Sequence, residues 1–127
     1  MGRLNLKNGS AAQRDGAKAE RMVMWYLVFR GYRLLEHNYT VGHKEIDLIM
    51  RKRGTIAFVE VKARRKIDGR FPPHLSVDAV KRKNIVSAAK VYVLREKHSG
   101  FILRFDVAEV DLSSRRINYI RNAYTEG

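Results

Sequence analysis

The sequence predicts an α/β domain: a mixed sheet with helices packed on its faces. Three observations predict it. Two stretches place apolar residues at helical spacing, and five shorter ones are rich in β-branched and aromatic types. Their order along the chain is helix, three strands, helix, two strands. The 127 residues suit a single domain over residues 10–127, with residues 1–9 as a flexible basic arm. A hydrophobic fraction of 45% is enough for one core and too high for a disordered chain.

The first helix starts at Ser10. With Gln13 it has the form of a capping box, in which each side chain satisfies the other residue's backbone N–H. Ala19, Val23, Tyr26 and Leu27 recur at helical spacing, and Trp25 and Tyr26 are expected in the core. Gly31 ends the helix, because glycine tolerates the left-handed conformation a helix end needs. Tyr32–Val41 reads as a strand, then Ile46–Met50 and Thr55–Ala63 as a hairpin around the polar turn Arg51–Lys52–Arg53–Gly54. Lys66–Leu75 holds Gly69, Pro72 and Pro73 and reads as a loop. Ser76 is positioned to cap the second helix, with Asp78 in its first turn. Its apolar residues are Val77, Val80, Ile85, Ala88, Ala89, Tyr92 and Val93. Ser99–Gly100 breaks it, and Phe101–Val110 and Ile117–Ile120 read as the last strands.

Charge narrows the function. Lys and Arg number 26 against 13 Asp and Glu, for a net +13 and a pI near 10.4. Such an excess concentrates polyanions and favours phosphate contacts, so nucleic acid is the expected partner. Cysteine is absent, which excludes disulfides and thiolate metal sites. No run of 18 apolar residues and no apolar stretch in Met1–Ser10 is present, so neither a membrane partner nor a secretory signal is expected. A cytoplasmic protein is the expectation. His37, His43, His74 and His98 lack metal-ligand spacing and read as surface or phosphate-facing groups.

The chemistry concentrates in the hairpin. Side chains two apart on a strand share a face, so Glu60 goes with Lys62, and Glu45 with Asp47. Pairing across the turn brings Asp47 near Glu60. Two carboxylates that close repel each other, and a hard divalent cation resolves the repulsion. Mg²⁺ (or Mn²⁺) is therefore expected on Asp47, Glu60 and the backbone carbonyl of Val61, with Lys62 orienting a water or stabilising charge on a phosphate. The plain alternative is a cross-strand salt bridge of Lys62 on a solvated face. Two helix residues weigh against it. Glu20 lies in the helix column of Leu27, beside Val23 and Met24, where a carboxylate is costly unless paired. Lys81 lies in the column of Val77, Ile85 and Ala88. Asp106 reads as structural, a partner for a nearby arginine.

Ala19–Glu20, Gly31–Tyr32, Asn38, Glu45–Ile46–Asp47–Leu48–Ile49, Phe58–Val59–Glu60–Val61–Lys62, Lys81 and Asn122–Ala123 together resemble the YraN-like family of the PD-(D/E)XK nuclease superfamily, which is similar to archaeal Holliday-junction resolvases. The resemblance covers about Gly16 to Tyr124. It implies a restriction-endonuclease-like three-layer sandwich and a site in which Glu20, Asp47, Glu60, Lys62 and Lys81 are the catalytic residues. His43–Lys44 stands where the family usually has glycine before Glu45. The implied activity is Mg²⁺-dependent endonucleolytic cleavage of DNA in preference to RNA, with branched DNA as one substrate class, by a homodimer. Arg51, Lys52, Arg53, Arg64, Arg65, Lys66, Arg70, Arg82 and Lys83 flank the site in sequence and are the expected phosphate contacts. The rival expectations are a non-catalytic nucleic-acid-binding module and an RNA- or ribosome-associated accessory protein.

Overall fold

The computed structural model describes residues 10–65 and 79–125. Expectations for the basic arm, for the Lys66–Leu75 loop with Lys66, Arg70 and His74, and for Ser76, Val77 and Asp78 fall outside those residues. Helix α1 spans Ala11–Val28, followed by strands β1 (Arg33–Val41), β2 (Lys44–Lys52) and β3 (Thr55–Arg64). Helix α2 spans Ala79–Arg95, followed by β4 (Ile102–Asp111) and β5 (Arg116–Tyr124). The element order is the one expected from the sequence. The Ser10–Gln13 capping box forms in both directions, at 2.9 and 3.1 Å. Gly31 adopts φ +96°, and the chain closes α1 with Tyr32 N–H donating to the Leu27 carbonyl at 3.0 Å.

The strands form one sheet in the order β1-β2-β3-β4-β5. Among the described strands only the β3–β4 pair is parallel, because α2 carries the chain from one to the other; the remaining pairs are antiparallel. Each helix covers one face. α1 packs Ala19, Val23 and Leu27 on Leu48, Met50, Ala57, Val59, Ala108 and Val110. α2 packs Ile85, Ala88, Ala89 and Tyr92 on Ile46, Ile49, Ile56, Phe58, Phe105 and Val107. The result is a three-layer α/β sandwich, and β3 at its centre is buried without a break from Ile56 to Glu60.

Three expectations are corrected. Trp25 is not in the core but 52% exposed, since the buried stripe of α1 is Ala19–Val23–Leu27 and a residue two away from that stripe lies about 200° around the helix. Tyr26 is half-buried against the ring of Tyr119. Val80 is exposed, five residues before Ile85 and so off the column that faces the sheet. Finally, β2 and β3 continue into the expected four-residue turn, with Arg51 paired to Ile56 and Lys52 to Thr55. Only Arg53 and Gly54 remain as the loop.

Candidate active site

The site begins with an irregularity in β2. Regular alternation would put Ile46 and Leu48 on one face. Instead Ile46 joins the core under α2 and Leu48 the core under α1. The break falls at Asp47. Pairing between β1 and β2 passes from Tyr39–Ile46 to His37–Leu48 without Asn38 or Asp47, and Asn38 takes a left-handed φ of 50°. Pairing of β2 with β3 stops at Leu48–Val59. Beyond it, Asp47 Oδ2 accepts the Val61 N–H at 2.8 Å, so a carboxylate stands where a ladder carbonyl would otherwise be.

Glu60 sits on the α2 side of β3, two residues after Phe58, and is only 3% exposed. Lys62 Nζ lies 3.3 Å from Glu60 Oε2, and Lys81 Nζ pairs with the same oxygen. Lys81 reaches it because it precedes Ile85 by one helical turn, and Ile85 faces the sheet. Asp47, Glu60, Lys81, Glu45 and Ile85 border a cavity of ≈ 330 Å³, together with His43, Lys44, Val80 and Asn84. The structure thus brings Asp47, Glu60, Lys62 and Lys81 together as expected.

The electrostatics of this cluster are unbalanced. Burial, and then the charge of Glu60, push the Asp47 carboxyl up to about 8, with a further push from Glu20. The Val61 N–H and Lys81 pull in the other direction without cancelling it. Burial works to lower the Lys81 ammonium, but its hydrogen bond and ion pair with Glu60 outweigh that and hold it above the usual lysine range. Glu20 is raised as well, first by burial and then by Glu45, with Glu60 adding to it against His37 and Asn38.

Glu20 does not border the Asp47 cavity. It lines a neighbouring one of ≈ 360 Å³ with His37, Asn38 and Leu48, and acts on Asp47 through its charge. The basic residues divide. Arg64 ends β3 beyond Lys62, and Arg65 follows it with a bidentate pair to Asp15 at 2.9 and 3.0 Å. Arg82 and Lys83 line a third cavity beside Tyr124, with the Arg82 guanidinium over the Tyr124 ring. Arg51, Lys52 and Arg53 are not brought to the site. At a rise of about 3.3 Å per residue, roughly 17 Å of strand separates Asp47 from Lys52. Arg51 stacks on Phe101 there, and Lys52 lies over Tyr32.

Sequence reasoning missed two residues. Asn84 borders the cavity; it follows Lys81 by three residues, so the helical column was the available signal. Glu109 is 4% exposed and in register with Lys62 across the parallel pair, with Oε1 accepting from Asn118 Nδ2 at 2.8 Å. No sequence signal places it there, because which strand β3 meets in parallel is decided after the intervening helix.

The donor set suits a hard cation. Among the described residues no three His, Cys, Asp or Glu side chains converge, so the protein offers two carboxylates and leaves the other positions to backbone oxygen and water. Mg²⁺ commonly binds in this way. A strand residue sends its N–H and C=O out on the same side, so the Val61 carbonyl is directed toward the Asp47 edge that its N–H contacts. No helix among the described residues is long and apolar enough to cross a membrane.

Comparison with known proteins identifies the family. The profile of the uncharacterised protein family UPF0102 matches residues 19–110. A UPF0102 protein of Clostridioides difficile (strain 630) is 39% identical over 109 residues, covering 86% of this chain and 95% of that one. A UPF0102 protein of Alkaliphilus metalliredigens (strain QYMF) is 40% identical over 110 residues, covering 86% and 96%. Among solved structures, Pyrococcus furiosus SfsA in complex with Ca²⁺ aligns with 87% of this chain and 63% of its own, at 15% identity and a TM-score of 0.38. The chain belongs to the UPF0102 family, a YraN-like family of the restriction-endonuclease-like nuclease superfamily.

Proposed function

We propose that this protein is a metal-dependent phosphodiesterase that cleaves DNA, branched DNA included. The observation that carries the reading is the meeting of Asp47 and Glu60, two carboxylates in one cavity, with Lys62 and Lys81 on Glu60. Asp47, Glu60 and the Val61 carbonyl would hold Mg²⁺ or Mn²⁺, which when bound polarises the phosphoryl group and lowers the pKa of water. Lys62 supplies a fixed positive charge where negative charge grows on the phosphoryl oxygens. Lys81 neutralises Glu60 while the site is empty of substrate and would turn to a phosphate once the carboxylate has another partner. Glu20 raises the negative potential at Asp47 from the neighbouring cavity. Arg64, Arg82 and Lys83 add backbone-phosphate contacts around the cavity.

The pairing of both lysines with Glu60 favours one rival, a nucleic-acid-binding module in which that carboxylate is permanently neutralised. The two readings separate on a panel of linear duplex, single-stranded and branched DNA, with Mg²⁺ or Mn²⁺, comparing wild type and Asp47→Ala. Metal-dependent cleavage by the wild type that is lost in Asp47→Ala is the expected result. Tight binding with no cleavage of any substrate would move the assignment to the binding module.

A further inference from the structure

The outer face of α1 carries the two kinds of group that a single strand of nucleic acid requires. Arg14, Lys18, Arg21, Trp25 and Phe29 succeed one another three or four residues apart, so they form one stripe. It is about 22 Å long at a rise of about 1.5 Å per residue, and it lies opposite the buried Ala19, Val23 and Leu27. Trp25 is 52% and Phe29 82% exposed, with ring centroids 6.0 Å apart. Neither ring packs in the core that α1 forms with the sheet. The stripe therefore has three cations along one half and two aromatic faces along the other.

Area and charge decide what covers the rings. A fully buried aromatic side chain hides about 150–250 Å², so at these exposures the pair offers roughly 200–300 Å² of apolar surface. A stable interface between protein chains needs about 800 Å² from each partner. A second copy would also bring another chain of net charge +13 against a face that already carries three cations. A polyanion meets no such repulsion, and each of its bases has a face that can stack on a ring.

We propose that this stripe binds single-stranded DNA, with bases on Trp25 and Phe29 and phosphates along Arg14, Lys18 and Arg21. The choice of DNA rests on the proposed nuclease reading; the stacking does not depend on catalysis. Duplex DNA keeps its base faces against one another and cannot use the rings, so the stripe selects unpaired arms or ends. It lies on the far side of α1 from the sheet and is separate from the Asp47 cavity.

Trp25 is the only tryptophan in the chain, so its fluorescence reports on the stripe. The full-length Asp47→Ala protein, which cannot cut in the proposed mechanism, is titrated with a short thymidylate strand and with a duplex of equal length. Binding is followed independently by the anisotropy of a dye on the DNA. The expected result is quenching that saturates together with the anisotropy for the single strand and is weak for the duplex. Phe29→Ala in the same background keeps the reporter and should weaken single-strand binding about tenfold, the loss of roughly one stacked base, with circular dichroism confirming the fold. Any of four results overturns the proposal: binding without a change in Trp25 emission, equal quenching by duplex, unchanged affinity in Phe29→Ala, or tighter binding of a uridylate strand. Emission that shifts with protein concentration alone would assign the rings to a second copy instead. Because cleavage is scored separately on the wild type, failure of either proposal leaves the other standing.

Discussion

Two aspartates on this sheet, one fully buried and one half-buried, are provided for very differently. Asp106 on β4 is fully buried and fully partnered: Arg104 donates to both its oxygens at 2.8–3.1 Å, the Tyr119 hydroxyl at 2.5 Å, and the Asn122 N–H at 2.8 Å. Arg104 is itself held by the Tyr32 hydroxyl at 2.7 Å, which locks the network to the end of α1. Asp47 on β2 receives one backbone N–H and shares its cavity with a second carboxylate. A buried charge with a complete set of donors stabilises a fold, whereas one with an incomplete set raises the free energy of the empty protein and is ready for a cation. The first arrangement is that of a structural residue and the second is the one the proposed metal site draws on, although both are aspartates on strands.

The largest effect expected from this contrast is on stability at Asp106. Asp106→Ala leaves the Arg104 guanidinium, Tyr119 and Asn122 without their acceptor and should cost about 3–5 kcal/mol, as breaking one side of a buried pair does. Urea unfolding measures it. A loss below about 1 kcal/mol would mean that the network contributes little and that the contrast with Asp47 has no energetic basis.

Next in size is the effect on turnover at Lys62. If its ammonium acts on the transition state, Lys62→Ala should lower single-turnover cleavage roughly 10²–10³-fold, the usual loss for one preorganised electrostatic group. DNA affinity should fall far less, since Lys62 is one cation among many. Lys62→Arg should not restore the rate fully, because a guanidinium is broader than an ammonium. Equal rates in wild type and Lys62→Ala would leave Lys62 as no more than the ion-pair partner of Glu60.

A smaller effect is the response to metal. Mg²⁺ relieves the repulsion between Asp47 and Glu60 only if it binds there, so it should raise the melting temperature of the wild type by mass action and leave that of Asp47→Ala unchanged. Equal shifts in the two proteins would place the cation elsewhere.

The contrast also shows which parts of the molecule were legible in the sequence. Glu60 and Lys62 followed from the two-residue period of a strand, Lys81 from its column with Ile85, and the nearness of Asp47 from the hairpin. Asp106 was read as the partner of an arginine, and Arg104 is that partner. The break of alternation at Asp47 was not legible, because it arises from the left-handed Asn38 on the adjacent strand and from β3 running on past its pairing. Glu109 was hidden for a related reason: a parallel register is fixed by how α2 packs, not by local pattern. The basic runs misled in part. Arg51–Lys52–Arg53 is near Glu60 in sequence, yet the hairpin carries it away from Asp47. Trp25 was placed in the core on residue type, and the 200° offset from Val23 shows why position on the helix outweighs type.

The smallest expected effect per step is the dependence of stability on pH, and it is the most direct test of the deficit at Asp47. Its folded carboxyl is raised to about 8, above the ordinary 3.8. The folded state therefore holds a proton that the unfolded chain has released between roughly pH 4 and pH 8. Stability falls wherever the native state binds more protons and pH rises. Asp47 should thus cost nothing below pH 4 and progressively destabilise the metal-free protein up to pH 8, by on the order of 1 kcal/mol per pH unit at most. Asp47→Asn removes the ionisation while its amide oxygen still accepts the Val61 N–H. Subtracting the variant's profile from that of the wild type isolates Asp47 from every other group. In the metal-free proteins the wild type should lose stability relative to Asp47→Asn from pH 5 to pH 8, and Mg²⁺ should recover that loss at pH 8 by taking the place of the proton. Parallel profiles would show that Asp47 is as well provided for as Asp106, and the case for a cation at this cavity would lose its main support.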